Sequence, residues 1–519
     1  MAQAEPYIDK NWPNSPTDSK AWHIQTTSID QEDAQAPRKV KWYRYVPQPL
    51  GIPPSPKNNS RSTYYNALVL GLTNFCAPGI WGAMNSLGGG GEESPWLVDA
   101  ANALTFCLMV LTCALSGLFV KYLGIRYTLI LGAAGYCPYA AGLYVNNRTG
   151  QGWLILFGGA LCGLGAGLFW MAEAAVAMSY PEPKNQGRFL GIWLTFRILG
   201  QVLGGAVNLG LDVRRDQAGS VSYHVYEVFI ALQAAAPFVG LLLTNPEKVE
   251  RTDGVKVSCG IPRDENSWTE LKATGRLFFS RGFLLIVPLI AQAVFAESVF
   301  FTYEGLWFTV RARALGSFLS GIVAMLGGNV LGLFLDSRKL SARFRGRWSF
   351  IVILSLQGAW WLWGTILVTE YRRTRPVLDW VDPGFGRAFS LFLFWVLGFQ
   401  LNYMYLYFVT QALAKNDAEI VRLAGLLRGV ESAVQAVSVC WSMASDMSGR
   451  LTSVQYGLDS IPIMGEVGCV YLNFALWAVS LAPAWLVIKE IGVTLGRIRD
   501  PKVEDESTPI KAAGEGKTT

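Results

Sequence analysis

Residues 154–208 read LILFGGALCGLGAGLFWMAEAAVAMSYPEPKNQGRFLGIWLTFRILGQVLGGAVN, from Leu154 to Asn208. Two apolar runs flank a tight polar turn, Pro181 to Arg188. Each run is long enough to cross a bilayer, which takes about 20 residues. Glu173 falls late in the first run and Arg197 midway through the second. Counted from the turn at about 1.5 Å per residue, both lie roughly 10–14 Å deep. A lone charge near the bilayer centre costs roughly 2.5–3.5 kcal/mol on insertion scales. Opposite charges at matched depth on neighbouring helices are therefore expected to face the protein interior as a pair. That pair serves either as a functional site or as a salt bridge locking two helices. Gly163 with Gly167, and Gly200 with Gly204, have the four-residue spacing that lets helices approach closely, which would bring Glu173 and Arg197 together.

The rest of the chain has the same character. Of 519 residues, 51% are apolar and only 16% charged, against about 25% charged in soluble domains. Mean hydropathy is +0.28. Glycine and aromatic residues are abundant, as membrane helices and their interfacial belts require. The net charge of +6 is spread over loops and tails and predicts no nucleic-acid partner. All eight cysteines except Cys259 fall in apolar runs, no Cys-x-x-Cys occurs, and the only histidines are His23 and His224. That spacing predicts no metal site, no cofactor and no Cys/His nucleophile pair. No phosphate-binding loop or Ser/His/Asp set is evident, so an enzyme is not expected.

Twelve apolar runs qualify as spans, near 64–86, 97–120, 126–145, 153–178, 188–210, 224–244, 282–304, 314–335, 347–369, 387–410, 422–443 and 465–488. The eleventh is the weakest, because it carries Arg428, Glu431 and Gln435. Backbone groups in lipid must be bonded internally, so the spans are helices, and the expected class is an all-α membrane protein with the lipid bilayer as its surroundings. Residues 1–61 are polar, lack a signal-peptide core and predict a disordered cytoplasmic tail, which includes the basic–aromatic run Lys39 to Arg44 and a Pro-rich linker at 45–61. Residues 491–519 predict a second disordered cytoplasmic tail. Basic residues concentrate in the loops that are inner if the N-terminus is cytoplasmic. Asn147 opens a glycosylation sequon in a predicted outer loop.

The longest polar gap between spans, 248–281, separates a six-helix half at 62–247 from another at 282–490. Within it Ser267-Trp-Thr-Glu270 reads as a capping box opening a short interfacial helix. Gly117-Leu-Phe-Val-Lys121 ends the second span and Gly332-Leu-Phe-Leu-Asp336 ends the eighth. Equivalent placement in two halves predicts a parallel repeat with a pathway between them.

Several polar residues inside spans are pathway candidates. Pro78 removes a hydrogen bond to the Asn74 carbonyl and kinks the first span, so that Asn74 and Asn85 could line a cavity. In the seventh span Gln292, Glu297 and Glu304 matter; Glu297 could carry a proton or pair with Arg311, Arg313 or a tyrosine, while Glu304 is expected at the outer surface. In the eleventh, Arg428 and Glu431 are spaced for an intrahelical ion pair, with Gln435 one turn on. Gln201 and Asn329 complete the set. Gln400, Asn402 and Asn473 are expected to bond neighbouring helices. Trp170, Trp193 and Trp307 either stack on a solute or pack in the core and belts.

Gly117, Gly124 and Arg126 resemble the cytoplasmic loop motif of the major facilitator superfamily, with Lys121 where an Asp is usual; Gly332 and Asp336 keep part of a second copy. In that superfamily these charges latch helix ends in one alternating state. A closer resemblance is to fungal UNC-ninety-three-like proteins: Thr73 to Gly91, Gly165 to Glu173 with Ser179 to Pro183, Gly187 to Trp193, and Gly200 to Gly205. It covers roughly 62–490. It implies a twelve-helix facilitator fold in two pseudo-symmetric halves; animal relatives are linked to channel regulation and receptor trafficking. The expected function is alternating-access transport of a small polar or charged solute, compatible with proton coupling. The alternative is a non-transporting regulatory or trafficking partner of another membrane protein.

Overall fold

The computed structural model describes residues 61–86, 95–182, 185–212, 223–251, 257, 266–337, 339–455, 468–493 and 495. The predicted tails, 1–61 and 491–519, lie outside these residues apart from 61, 491–493 and 495. Most of the Pro-rich stretch, Cys259 and much of the 248–281 segment lie outside them too.

The described residues are almost wholly helical. The first span is α1 (Thr63–Asn74), a π turn (Phe75–Gly79) and α2 (Ile80–Ser86). Then come α3 (Pro95–Leu123), α4 (Ile125–Ala134), α5 (Cys137–Thr149), α6 (Trp153–Ser179), α7 (Gln186–Asp212) and α8 (Tyr223–Gly240). A short helix, α9 (Ser267–Phe278), precedes α10 (Arg281–Trp307), α11 (Val310–Leu335), α12 (Ala342–Thr374), α13 (Phe385–Leu413), α14 (Asp417–Gln455) and α15 (Gly468–Ile488). Among the described residues, ten helices are long and apolar enough to cross a membrane. The two long helices outside that set are α7 and α8, of 27 and 18 residues. The chain is a multi-pass integral membrane protein. The eleventh expected span is one continuous helix, so Arg428 and Glu431 do not interrupt it.

Pro78 acts as its chemistry dictates. With no N–H to give and a ring that crowds the preceding turn, it sits inside a π turn rather than a sharp break. The loosened turn lets α7 come close. A Cβ on Gly200 would lie 2.3 Å from the Gly79 carbonyl carbon, so only glycine fits there. The four-residue glycine pairs thus serve other contacts than expected. Gly163 and Gly167 pack on Thr105, Thr112 and Met109 of α3, and Gly200 packs on the first span; they do not join α6 to α7 at Glu173 and Arg197.

Three further expectations are corrected. The cap of α9 is Asn266, whose side chain accepts from Trp268 N, so the helix begins with Ser267 already inside it. Glu270 does not close a capping box; it is buried against Arg422 of α14, at 2.6 and 2.9 Å. Asn147 is in the last turn of α5, which ends only at left-handed Gly150, so the sequon is helical rather than in a loop. Glu304 is buried, 6% exposed, because α10 runs on to Trp307 and the carboxyl packs onto α11 at Gly316.

Candidate functional site

The polar interior is built by α6, α7, α10, α13 and α14. On α7, Trp193 and Arg197 are one turn apart and point the same way. Trp193 Nε1 donates to Glu173 of α6. Among the described residues no ion pair joins Glu173 to Arg197. The matched depth was legible, but the indole reaches the carboxyl first. The Arg197 guanidinium instead lies over two rings, 5.1 Å from the Trp170 centroid and 4.9 Å from Tyr403.

Arg428 shares both rings. It is 4.3 Å from Trp170, 5.2 Å from Tyr403 and 5.1 Å from Tyr407. Its Nη1 also donates to Glu431 at 2.5 Å, the expected intrahelical pair, and to the Tyr403 hydroxyl. Desolvated cation–π contacts are worth about 2 kcal/mol each, so the rings offset part of the cost of burying two cations. Trp193 packs edge-on to Tyr407 at 5.1 Å and closes the cluster. Sequence reasoning missed Tyr403 and Tyr407. Their signal was the run Asn402-Tyr-Met-Tyr-Leu-Tyr407, which stacks two tyrosines on one face at four-residue spacing.

Next to the cluster, Gln435 Nε2 donates to Glu297 at 3.0 Å, so Glu297 is held by an amide rather than by Arg311, Arg313 or a tyrosine. Glu297 and Arg197 both line a cavity of about 30 Å³ with Gln201, Ser317, Ser320 and Gln400. That volume suits about one or two waters.

The other candidates are placed elsewhere. Gln292 accepts from Asn402 at 2.9 Å, and Asn402 also donates to Gln357; these three buried amides tie α10, α12 and α13 together away from the cavity. Gln357 was missed. Asn329 donates to Thr195 and Met325, joining α11 to α7. Asn85 bonds Trp81 and accepts from Asn102 near the far end of α2. Asn74 is buried at the π turn, and among the described residues neither of its side-chain polar atoms has a hydrogen-bond partner.

At one end of the bundle Asp336 caps α11 and accepts from Gly187 N at 2.6 Å and Arg188 N at 2.7 Å. It thus binds the N-terminus of α7, where free N–H groups and the helix dipole favour an anion. Gly187 and Gly332 meet backbone to backbone there. Burial nonetheless pushes the Asp336 carboxyl up to about 6. In the first copy Gly124 is left-handed at the cap of α4, Gly117 lies in α3, and Arg126 donates to the Leu241 carbonyl. Lys121 is buried. At the opposite end Asp379 accepts from Thr309 and from Arg311, whose guanidinium holds the carboxyl below its ordinary range.

Comparison with known proteins agrees with this architecture. A family model described as "UNC-93: Ion channel regulatory protein UNC-93" matches residues 100–353. The notoamide biosynthesis cluster protein O' of Aspergillus versicolor is 35% identical over 465 residues, 89% of this chain and 96% of that protein. UNC93-like protein 1 of Arabidopsis thaliana is 31% identical over 397 residues, 74% of this chain and 85% of that protein. Among solved structures, the proton:xylose symporter XylE superposes with a TM-score of 0.55 at 14% identity, covering 83% of this chain and 97% of that one. FucP in its outward conformation gives 0.56 at 12% identity, covering 81% and 98%. Likeness at that identity shows the fold, which is that of the major facilitator superfamily.

Proposed function

The chain belongs to the UNC-93-like family, and from that premise we propose that it is an alternating-access transporter of a small polar or charged solute, with a buried carboxyl that exchanges a proton. In this reading residues 62–247 and 282–490 are two six-helix halves that rock about the cluster, joined through 248–281, with both termini cytoplasmic. The observation that carries it is a charge balance. Among the described residues, Glu173, Glu297 and Glu431 share one largely buried cluster with the cations Arg197 and Arg428. Ionised together, they leave one uncompensated negative charge in a low-dielectric interior, which is costly until a proton settles on one of the three carboxyls. Glu297 is the carboxyl that lines the cavity. The Asp336 contact on α7 fits a latch for one of the two states. The name of the Aspergillus relative, which places it in a biosynthesis cluster, agrees with a small organic molecule as solute.

The test is reconstitution of the full chain in liposomes, with labelled sugars, amino acids, amines and organic acids offered in turn and internal pH followed. We expect flux for at least one class, lost in Glu297→Gln. No flux across the panel would sink the reading.

A second reading has its own support. The family description names ion channel regulation, and a cavity of about 30 Å³ is small for an organic solute. A regulatory or trafficking partner would then co-purify from native membranes at fixed stoichiometry, and its repeated absence would count against this alternative.

A further inference from the structure

We infer that the solute is a small zwitterion, with its carboxylate on Arg197 and its ammonium on Glu297; this rests on the transport reading above. Arg428 already has Glu431, and Glu173 already has the Trp193 indole. Arg197 and Glu297 are the charged residues that line the cavity. Among the described residues no ion pair joins them. Arg197 rests its flat face on Trp170 and Tyr403, yet among the described residues its buried Nη1 has no hydrogen-bond partner. Gln400, 3% exposed, lines the same cavity, and its Nε2 is likewise buried with no partner among the described residues. Two unmet donors on residues that line one cavity match a carboxylate, which accepts at both oxygens. Glu297 has one oxygen on Gln435 and presents the complementary charge.

Charge pairing selects among solute classes. An anion that meets Arg197 leaves the half-buried Glu297 carboxylate with only the neutral Gln435 amide as partner. A cation that meets Glu297 leaves the half-buried Arg197 on its two rings with Nη1 still unmet. A solute bearing both charges satisfies both groups at once, and specificity of this kind comes from the groups a wrong ligand would strand. Phe300 and Phe399 supply apolar wall for the carbon skeleton. A cavity of about 30 Å³ is smaller than such a solute, so the zwitterion would enter a more open conformation.

The experiment uses the full chain in liposomes and three probes. These are an equimolar mixture of the labelled common L-amino acids with glycine betaine, labelled choline, and labelled succinate. Uptake of the mixture alone is expected. Arg197→Gln and Glu297→Gln should each lower it by about tenfold or more. Arg197→Lys, which keeps the charge, should retain more uptake than Arg197→Gln. Gln400→Leu leaves both charges and should raise the half-saturating concentration several-fold with little change in maximal rate, which a folding defect would not do. Uptake of choline or succinate without the mixture overturns the zwitterion while leaving transport standing. Uptake of none of the three also overturns it, and the broad solute panel then decides separately whether the protein transports at all. Mixture uptake indifferent to all four substitutions overturns the site.

Discussion

The guanidinium of Arg428 on α14 lies 4.3 Å from the ring centroid of Trp170 on α6, and the same arginine bonds Glu431 three residues along its own helix. One cation is thereby shared between a π face on a neighbouring helix and a carboxylate on its own. Helix α14 carries a charge through the apolar interior because both partners are in place. Removing either half of this arrangement separates its electrostatic from its packing role.

Glu431→Gln leaves Arg428 buried with only ring faces and a hydroxyl. Breaking one side of a buried pair costs about 3–5 kcal/mol. The apparent melting temperature in detergent should fall by several degrees or more. The double change Arg428→Met with Glu431→Leu should recover most of that loss, because no charge is then stranded. A double variant no more stable than the single one would show that the pair does not act as a unit.

Gly200→Ala tests the close approach of α7 to the first span. The new methyl would stand 2.3 Å from the Gly79 carbonyl carbon, and a backbone atom cannot move aside as a side chain can. Overpacking of this kind costs about 1–3 kcal/mol. Gly386→Ala, with nothing within 4 Å of its new Cβ, should shift stability by less than about 0.5 kcal/mol. Comparable melting temperatures for the two variants would contradict the contact.

Asp336 gives a pH dependence of stated sign. Burial lifts its carboxyl to about 6, above an ordinary aspartate near 3.9. The folded form therefore holds the proton more tightly than the unfolded chain. Its contribution to stability is present at low pH and is lost as pH rises from about 4 to about 6, by up to ~3 kcal/mol. The melting temperature of the wild type relative to Asp336→Asn should fall across that window and level off above it. A relative rise across the same window would mean that the helix N-terminus outweighs burial.

Glu270 ties α9 to α14 through Arg422, and Ser267 bonds Tyr122 of α3 at 2.6 Å. Glu270→Ala removes that ion pair and loosens α9. Limited trypsin digestion should then cut at Lys272 and Arg276 several-fold faster than in the wild type. Unchanged cleavage would show that the ion pair does not hold the helix down.

Much of this was written in local sequence. The apolar runs marked the long helices, ten of which among the described residues are long and apolar enough to cross a membrane, Pro78 marked the irregular turn, and the spacing of Arg428 and Glu431 gave their ion pair. What was not legible depends on residues distant along the chain. Glu173 and Arg197 share a depth, but which group each one meets is decided by Trp193, Trp170 and Tyr403, and Tyr403 comes from α13. Glu304 looks terminal by counting along α10, yet the neighbouring α11 offers a glycine that lets the carboxyl pack inside. Gln292 could not be told from a pathway residue without Asn402 and Gln357 beside it. The start of α9 shifted by one residue because Asn266 and Ser267 are both good caps, and only geometry chooses between them.

The central claim is that the cavity between Arg197 and Glu297 opens in turn to each side of the membrane. Ser320 lines that cavity and is 8% exposed. Ser320→Cys in a chain whose own cysteines are replaced, sealed into vesicles of either orientation, should react with a membrane-impermeant maleimide from both sides. Reaction from one side only, or from neither, would contradict alternating access.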